Sequence, residues 1–352
     1  MEGSFVFSME NLENNESRNA NFKDKVVILL AGGRIVQRHE NAEEIDLTDE
    51  EILSTLPEEL QSHAVVHKWS LQPTSNYTLR MCGEIMSMVS SFIHDYGARG
   101  VVVTCGIQAL AELAYFADLV WELNPPLIFT GSIFNADSTN SETSLRLSQS
   151  VRAALSGACQ GKGALICIQD GIYAPADVLR ISNFNRAGLL AFPESPLGVF
   201  SQPSGDYIAL RLPRHRNVRK IVSPLARNIP ILSASLGDGD LILRALLGKS
   251  EQKFEELDGL VVSGLGDGDV PSVWVPSLRK LVRAEIPIVL TSRYPDGFVQ
   301  AMEDFEGSAS QLLEMGLINA GMLSPYQARI RLAVGLASGL QGDELADYMH
   351  RK

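Results

Sequence analysis

Short runs of wholly apolar residues, each closing on glycine or a small polar residue, recur along this chain with amphipathic stretches between them. They are Val26-Val27-Ile28-Leu29-Leu30, Gly100-Val101-Val102-Val103, Leu127-Ile128-Phe129 and Ala164-Leu165-Ile166-Cys167-Ile168. A strand that is apolar at every position is buried on both faces, the pattern of a parallel sheet held between two layers of helices. Between the runs, Thr78 to Tyr96 sets Met81, Ile85, Met86, Val89 and Ile93 near helical spacing. Gln108 to Leu123 sets apolar faces against Glu112, Asp118 and Glu122. The expected architecture is α/β and doubly wound.

The alternation breaks once, where Arg211, Arg214, Arg216, Arg219 and Lys220 crowd into ten residues with Pro213 among them. In a chain with 42 acids against 30 bases and a net charge of −12, this basic stretch reads as a solvated interdomain connection rather than a binding patch. The pattern then resumes, with strand character at 229–234, 260–262 and 286–290 and helical character at 240–247, 273–283 and 324–348. Asp240 stands where it would cap its helix, and Pro325 suits a first turn. The expected organisation is a loose leader (1–23), an N-terminal α/β domain (24–205), a linker (206–228) and a second α/β domain (229–352), both with parallel-rich sheets.

The acidic balance argues against general affinity for nucleic acid or anionic lipid, and no apolar run reaches the roughly 18 residues of a membrane span. The polar start, Met1 to Asn21, lacks the basic-then-apolar order of an export signal, so a cytoplasmic location is expected. Cys82, Cys105, Cys159 and Cys167 form no CxxC pair and read as reduced thiols. His63 and His67 flank a stretch with strand character and belong to no HExxH pattern, so no metal site is expected.

Ligands of parallel sheets collect at the carboxyl ends of strands. Two such ends stand out: Leu30-Ala31-Gly32-Gly33-Arg34-Ile35, whose glycines allow close backbone approach, and Val103-Thr104-Cys105-Gly106-Ile107-Gln108, which runs into a helix. Neither is a nucleotide-binding fingerprint. Their order, with Glu112-Leu113-Ala114-Tyr115-Phe116, Pro126 to Gly131, Gln169 to Val178, Ser195-Pro196-Leu197-Gly198, Gly264 to Gly268, Thr291 to Gly297 and Gly321 to Arg329, resembles the bacterial-type L-asparaginases from about residue 24 to 350. The resemblance implies two α/β domains and a site carried mostly by the first. It further implies completion of that site by a neighbouring subunit in a homodimer, often a dimer of dimers. Hydrolysis of the asparagine side-chain amide by threonine, without a cofactor, is the implied chemistry.

The departures fall on the reactive positions. The family's first loop reads Thr-Gly-Gly-Thr-Ile, and Ala31 and Arg34 stand in its threonine places. Its second loop reads Thr-His-Gly-Thr-Asp, and here the last two positions are Ile107 and Gln108. A gapless count puts the family's site lysine at Gly157, with Lys162 nearby. The partner-subunit asparagine corresponds to Asp269, and the substrate-loop serine to Thr74 or Ser75. Members of a nucleophile set act as a unit, so their joint loss argues against Thr-dependent hydrolysis.

The ligand-facing candidates are therefore Ala31, Gly33, Arg34, Thr74, Ser75, Gly106, Ile107, Gln108 and Asp269. Arg34 reads either as an anion-binding group or as the partner of an acid in Glu40 to Glu51, the expected lid. Gln108 can read an amide or carbonyl, and Ala31 with Ile107 makes the floor apolar. Cys105 is either a replacement nucleophile or a core thiol, and Thr104 is a second replacement candidate. Asp267 and Asp269 read as a turn with a helix cap rather than a calcium loop; in a neighbour's pocket Asp269 would hold a cation or act as a base. The leading expectation is a protein recruited to bind or convert another small polar or acyl-type metabolite. An amidohydrolase with a replaced nucleophile and a non-catalytic binding homologue are the alternatives.

Overall fold

The computed structural model describes residues 22–41, 43–182, 195–200, 216–226, 228–248 and 257–350, with 189–191 as backbone. The N-terminal domain opens with β1 (Val26–Ala31), a hairpin of β2 (Gln37–Glu40) and β3 (Glu43–Asp46), short helices α1 (Asp49–Ser54) and α2 (Glu58–Gln61), and β4 (Ala64–Lys68). It continues through α3 (Leu79–His94), β5 (Gly100–Cys105), α4 (Leu110–Val120), β6 (Leu127–Thr130), α5 (Thr143–Leu155) and β7 (Ala164–Ile168). Short strands β8 (Gly171–Tyr173), β9 (Val178–Arg180), β10 (Leu189–Ala191) and β11 (Gly198–Val199) follow. The main sheet has the order β11-β8-β7-β6-β5-β1-β4, parallel from β4 to β7.

All six residues of β1 are buried, and the two-residue period divides them between two cores. Val27, Leu29 and Ala31 face α3 and α4 with Ile85, Val89 and Leu113, while Val26, Ile28 and Leu30 face α1 and α5 with Ile52, Leu147 and Val151. Thr78 accepts from the Met81 amide at the start of α3, at the boundary the apolar spacing suggested. Phe22, which falls within the expected leader, is buried against Phe92, Tyr96 and His67.

The second domain holds β12 (Ile231–Ser233), α6 (Leu241–Leu246), β13 (Leu260–Gly264), α7 (Val275–Arg283), β14 (Ile288–Ser292), α8 (Ala309–Glu314), β15 (Ile318–Asn319), α9 (Pro325–Ala337) and α10 (Gly342–Met349). Its four strands run parallel in chain order. The expected helix at 324–348 is two helices, α9 and α10, broken where Gly339 takes φ +81°. Asp240 occupies the position before α6 without a side-chain cap bond, and pairs instead with Arg244 at 2.9 Å.

The basic stretch also departs from expectation. Arg211 and Arg214 lie outside the described residues, but Arg216 is tied into the N-terminal domain rather than solvated. Its Nε donates to Asp118 at 2.7 Å, and its terminal nitrogen donates to the carbonyls of Asp118 and Trp121 at 2.9 and 2.7 Å. The buried Asp118 carboxylate requires a counter-charge, and the returning chain supplies it. Arg331 of α9 stacks on Tyr348 at 4.5 Å and donates to the Tyr115 hydroxyl, joining α4 to the second domain.

Candidate functional site

The chain runs from β1 outward to β4, then crosses back over β1 to β5, so the sheet order reverses at the β1–β5 pair. A reversal of this kind opens a crevice at the strand carboxyl ends. Ala31 lies beside Cys105 in register, and the two glycine loops therefore leave the sheet side by side. Gly33 has φ +95°, and a Cβ there would fall on the Cys105 carbonyl. Only glycine meets both demands.

A third strand end joins them. After β4 the chain forms a short turn, Thr74–Asn76, and the Thr74 hydroxyl lies against Gly106, where a Cβ on that glycine would collide with it. The Gln108 carboxamide oxygen lies 3.3 Å from the same Cβ position. Thr74, Gly106 and Gln108 are thus brought together, whereas Ser75 next to Thr74 is exposed. Tyr77, absent from the sequence-derived candidates, donates its hydroxyl to the Ala31 carbonyl at 2.7 Å. Burial first, then the neighbouring Cys105, pushes the Tyr77 phenol above its usual range, so at neutral pH it is a donor. Its only local signal was an aromatic shortly after the Thr-Ser pair, which does not reveal a contact 46 residues back along the chain.

The two sequence candidates for a replacement nucleophile face into the protein. Cys105 is fully buried on the α3–α4 face with Ala31, and burial drives its thiol well above the ordinary range. Thr104 points to the other face and is also fully buried, with no hydrogen-bond partner for its hydroxyl. Ile107 packs in the same core as Ala31. The side chains at two of the family's threonine places, Ala31 and Ile107, are thus packed into the core beside Cys105.

Arg34 is exposed and donates to the Ile133 carbonyl at 3.3 Å. The expected ion pair with the acidic segment belongs instead to Arg38, which reaches Glu40 at 3.1 Å and Glu51 at 3.5 Å. That segment folds as the β2–β3 hairpin and α1, and docks on the loop after β6. The Ala136 amide donates to the Gln37 carbonyl at 2.7 Å, and the His39 amide to Asp137 at 2.9 Å. The His39 amide holds the Asp137 carboxyl below its usual range, and the Thr48 amide does the same for Glu51 within a capping box.

Two other expectations need correction. Gly157 and Lys162 precede β7, which runs parallel to β1 and β5, so they lie at the amino ends of the strands, opposite the glycine loops. A first-domain cation that does share a groove with Gln108 is Arg180, at the end of β9. The gapless count fell before β7, whereas Arg180 stands beyond β8, at the end of β9. Asp269 caps a helix, but a distant one: its carboxylate accepts from the Ala309 amide at the start of α8, at 2.9 Å. Its backbone also closes a bridge with Leu265. Among the described residues, no group of three or more metal-ligating side chains is assembled.

A seven-stranded, largely parallel sheet with two glycine loops at its reversal, followed by a four-stranded parallel domain, defines a two-domain α/β protein. A family model described as "Asparaginase, N-terminal" matches residues 25–211, and one described as "Glutaminase/Asparaginase C-terminal domain" matches 228–349. The chain belongs to the asparaginase family. It is 27% identical to the L-asparaginase of Bacillus licheniformis over 90% of this chain and 97% of that one. With the glutaminase-asparaginase of Pseudomonas fluorescens biotype A it shares 25% identity, over 91% and 88% respectively. The structure of a probable cytoplasmic L-asparaginase from Campylobacter jejuni superposes with a TM-score of 0.79 at 20% identity, covering 93% of this chain and 99% of that one.

Proposed function

We propose that this family member does not hydrolyse asparagine through a threonine nucleophile, and that its strand-end pocket binds or converts another small polar or acyl-type metabolite. The observation that carries this reading is the buried Ala31 methyl at the end of β1, with Ile107 packed in the same core. Neither side chain can attack a carbonyl or orient water. The burial of Cys105 and Thr104 weighs against a replacement nucleophile on the second loop.

The polar groups that remain describe a different ligand. Arg34 can hold a carboxylate or phosphate in bidentate fashion, Gln108 can read a carbonyl or amide, and the Thr74 hydroxyl can donate or accept. Conversion in such a pocket would proceed by orientation and hydrogen bonding, as in a cyclisation, elimination or acyl rearrangement, without a covalent intermediate on the protein. Completion of the pocket by a second copy, with Asp269 near the shared boundary, belongs to the same reading.

Ammonia release from asparagine and glutamine by the full chain tests it, and no release above the buffer rate is expected. Turnover at ordinary enzyme rates overturns the reading, and its loss in Cys105→Ala or Thr104→Ala would identify the attacking group. Incubation with metabolite pools, followed by mass spectrometry of retained ligands and changed products, separates binding from conversion.

A further inference from the structure

A groove of about 670 Å³ lies between the two domains of a single chain. Gln108 and Ala111 at the start of α4 form part of its wall, beside the end of β9. The opposite wall comes from the second domain, through the Arg293–Pro295 turn after β14 and the first turn of α9. Gln108 belongs to both places: it closes the second glycine loop and lines this groove.

The charges in the groove are unusual for a chain carrying −12 overall. Arg180 and Arg293 both line it, against one carboxylate, Glu112. Arg329 faces Glu112 and offsets its charge. Arg293 is held in place by its own neighbours: it donates to the Ala234 carbonyl at 3.3 Å and to the Tyr294 hydroxyl at 3.2 Å, with its guanidinium 5.2 Å from the centre of the Tyr294 ring. Those bonds use two of the five donors a guanidinium carries. The wall around these cations mixes polar Ser182, Ser324 and Gln327 with apolar and aromatic surface, of which Ile181 and Tyr326 are 52% and 59% exposed.

We infer that this groove is an extension of the strand-end pocket that takes a carboxylate on an apolar body, with Arg293 reading the carboxylate and Tyr326 and Ile181 receiving the body. The inference rests on the proposed recruitment to a metabolite other than asparagine, and it adds that the chain's own second domain contributes to recognition. An oriented guanidinium beside aromatic surface favours a planar anion, and a ligand entering past Gln108 would meet both.

Isothermal titration of the full chain with 4-phenylbutyrate, and in parallel with the uncharged 4-phenylbutanol, tests the assignment. Saturable binding of the acid is expected, with the alcohol about tenfold or more weaker, as loss of a charge-assisted pair requires. Arg293→Ala should weaken the acid by a similar factor and leave the alcohol unchanged. Tyr326→Ala should weaken both. Both side chains are exposed, so the fold should survive these changes, and circular dichroism checks that. Absence of saturable binding, equal affinity for acid and alcohol, or indifference to Arg293→Ala overturns the inference. A chain that releases ammonia from asparagine yet still binds the acid through Arg293 overturns the functional reading alone, so the two failures are distinguishable.

Discussion

The Tyr77 hydroxyl donates to the Ala31 carbonyl at 2.7 Å, linking the loop after β4 to the end of β1. The carbonyl belongs to a fully buried residue, and Trp69 meets the Tyr77 ring edge-on at 5.4 Å. Tyr77→Phe keeps the ring and removes the donor. Leaving a buried carbonyl without this partner should cost about 1–2 kcal/mol, read as a lower urea midpoint at unchanged slope.

Gly33 separates backbone strain from collision. Gly33→Ala adds a Cβ at φ +95° that falls on the Cys105 carbonyl, whereas Gly237→Ala adds one at φ +80° with nothing within 4 Å. The second change should cost about 1 kcal/mol, from strain alone, and the first at least about 2 kcal/mol more, because two backbones must part. Equal losses in thermal unfolding would show that the β1 and β5 loops do not touch as described.

Arg216 and Asp118 make stability depend on pH. Burial pushes the Asp118 carboxyl up to about 6, while Arg216 pulls it back. A carboxyl whose folded pKa is raised contributes most below its unfolded value and loses that contribution as pH rises through the folded one. Arg216→Met removes the countering charge and raises the folded value further. The variant should therefore lose about 3 kcal/mol against the parent at pH 8 and distinctly less at pH 5, where Asp118 takes up a proton. Denaturant melts at the two pH values read the difference, and a loss independent of pH would assign Arg216 only its carbonyl bonds.

The cysteines should be silent in the native protein. All four are buried, and burial pushes Cys82 and Cys159 up to about 12 and Cys167 to about 11, with Cys105 higher still. At pH 8 a thiol reagent such as DTNB should label none on the minute scale and all four after denaturation. Rapid labelling of Cys105 would restore it as a nucleophile.

Much of the fold was legible because its cause is local. A run such as Val26 to Leu30 can satisfy its burial only as a strand covered on both sides. The break between α9 and α10 was missed because apolar spacing continues across Gly339, while the helix ends on that residue's backbone conformation. Arg34 follows the glycine pair directly, but its hydrogen-bond partner is the Ile133 carbonyl, 99 residues on.

What the chain determined by itself was chemistry: an alanine and an isoleucine carry no attacking oxygen wherever they are placed, and a buried apolar strand needs two covering layers. Tertiary structure decided proximity. It set Tyr77 against Ala31, brought Arg180 into one groove with Gln108, and turned Arg216 from a solvated base into the partner of Asp118. These contacts arise from strand order and from the burial of charges that require partners, and residue spacing along the chain does not encode either.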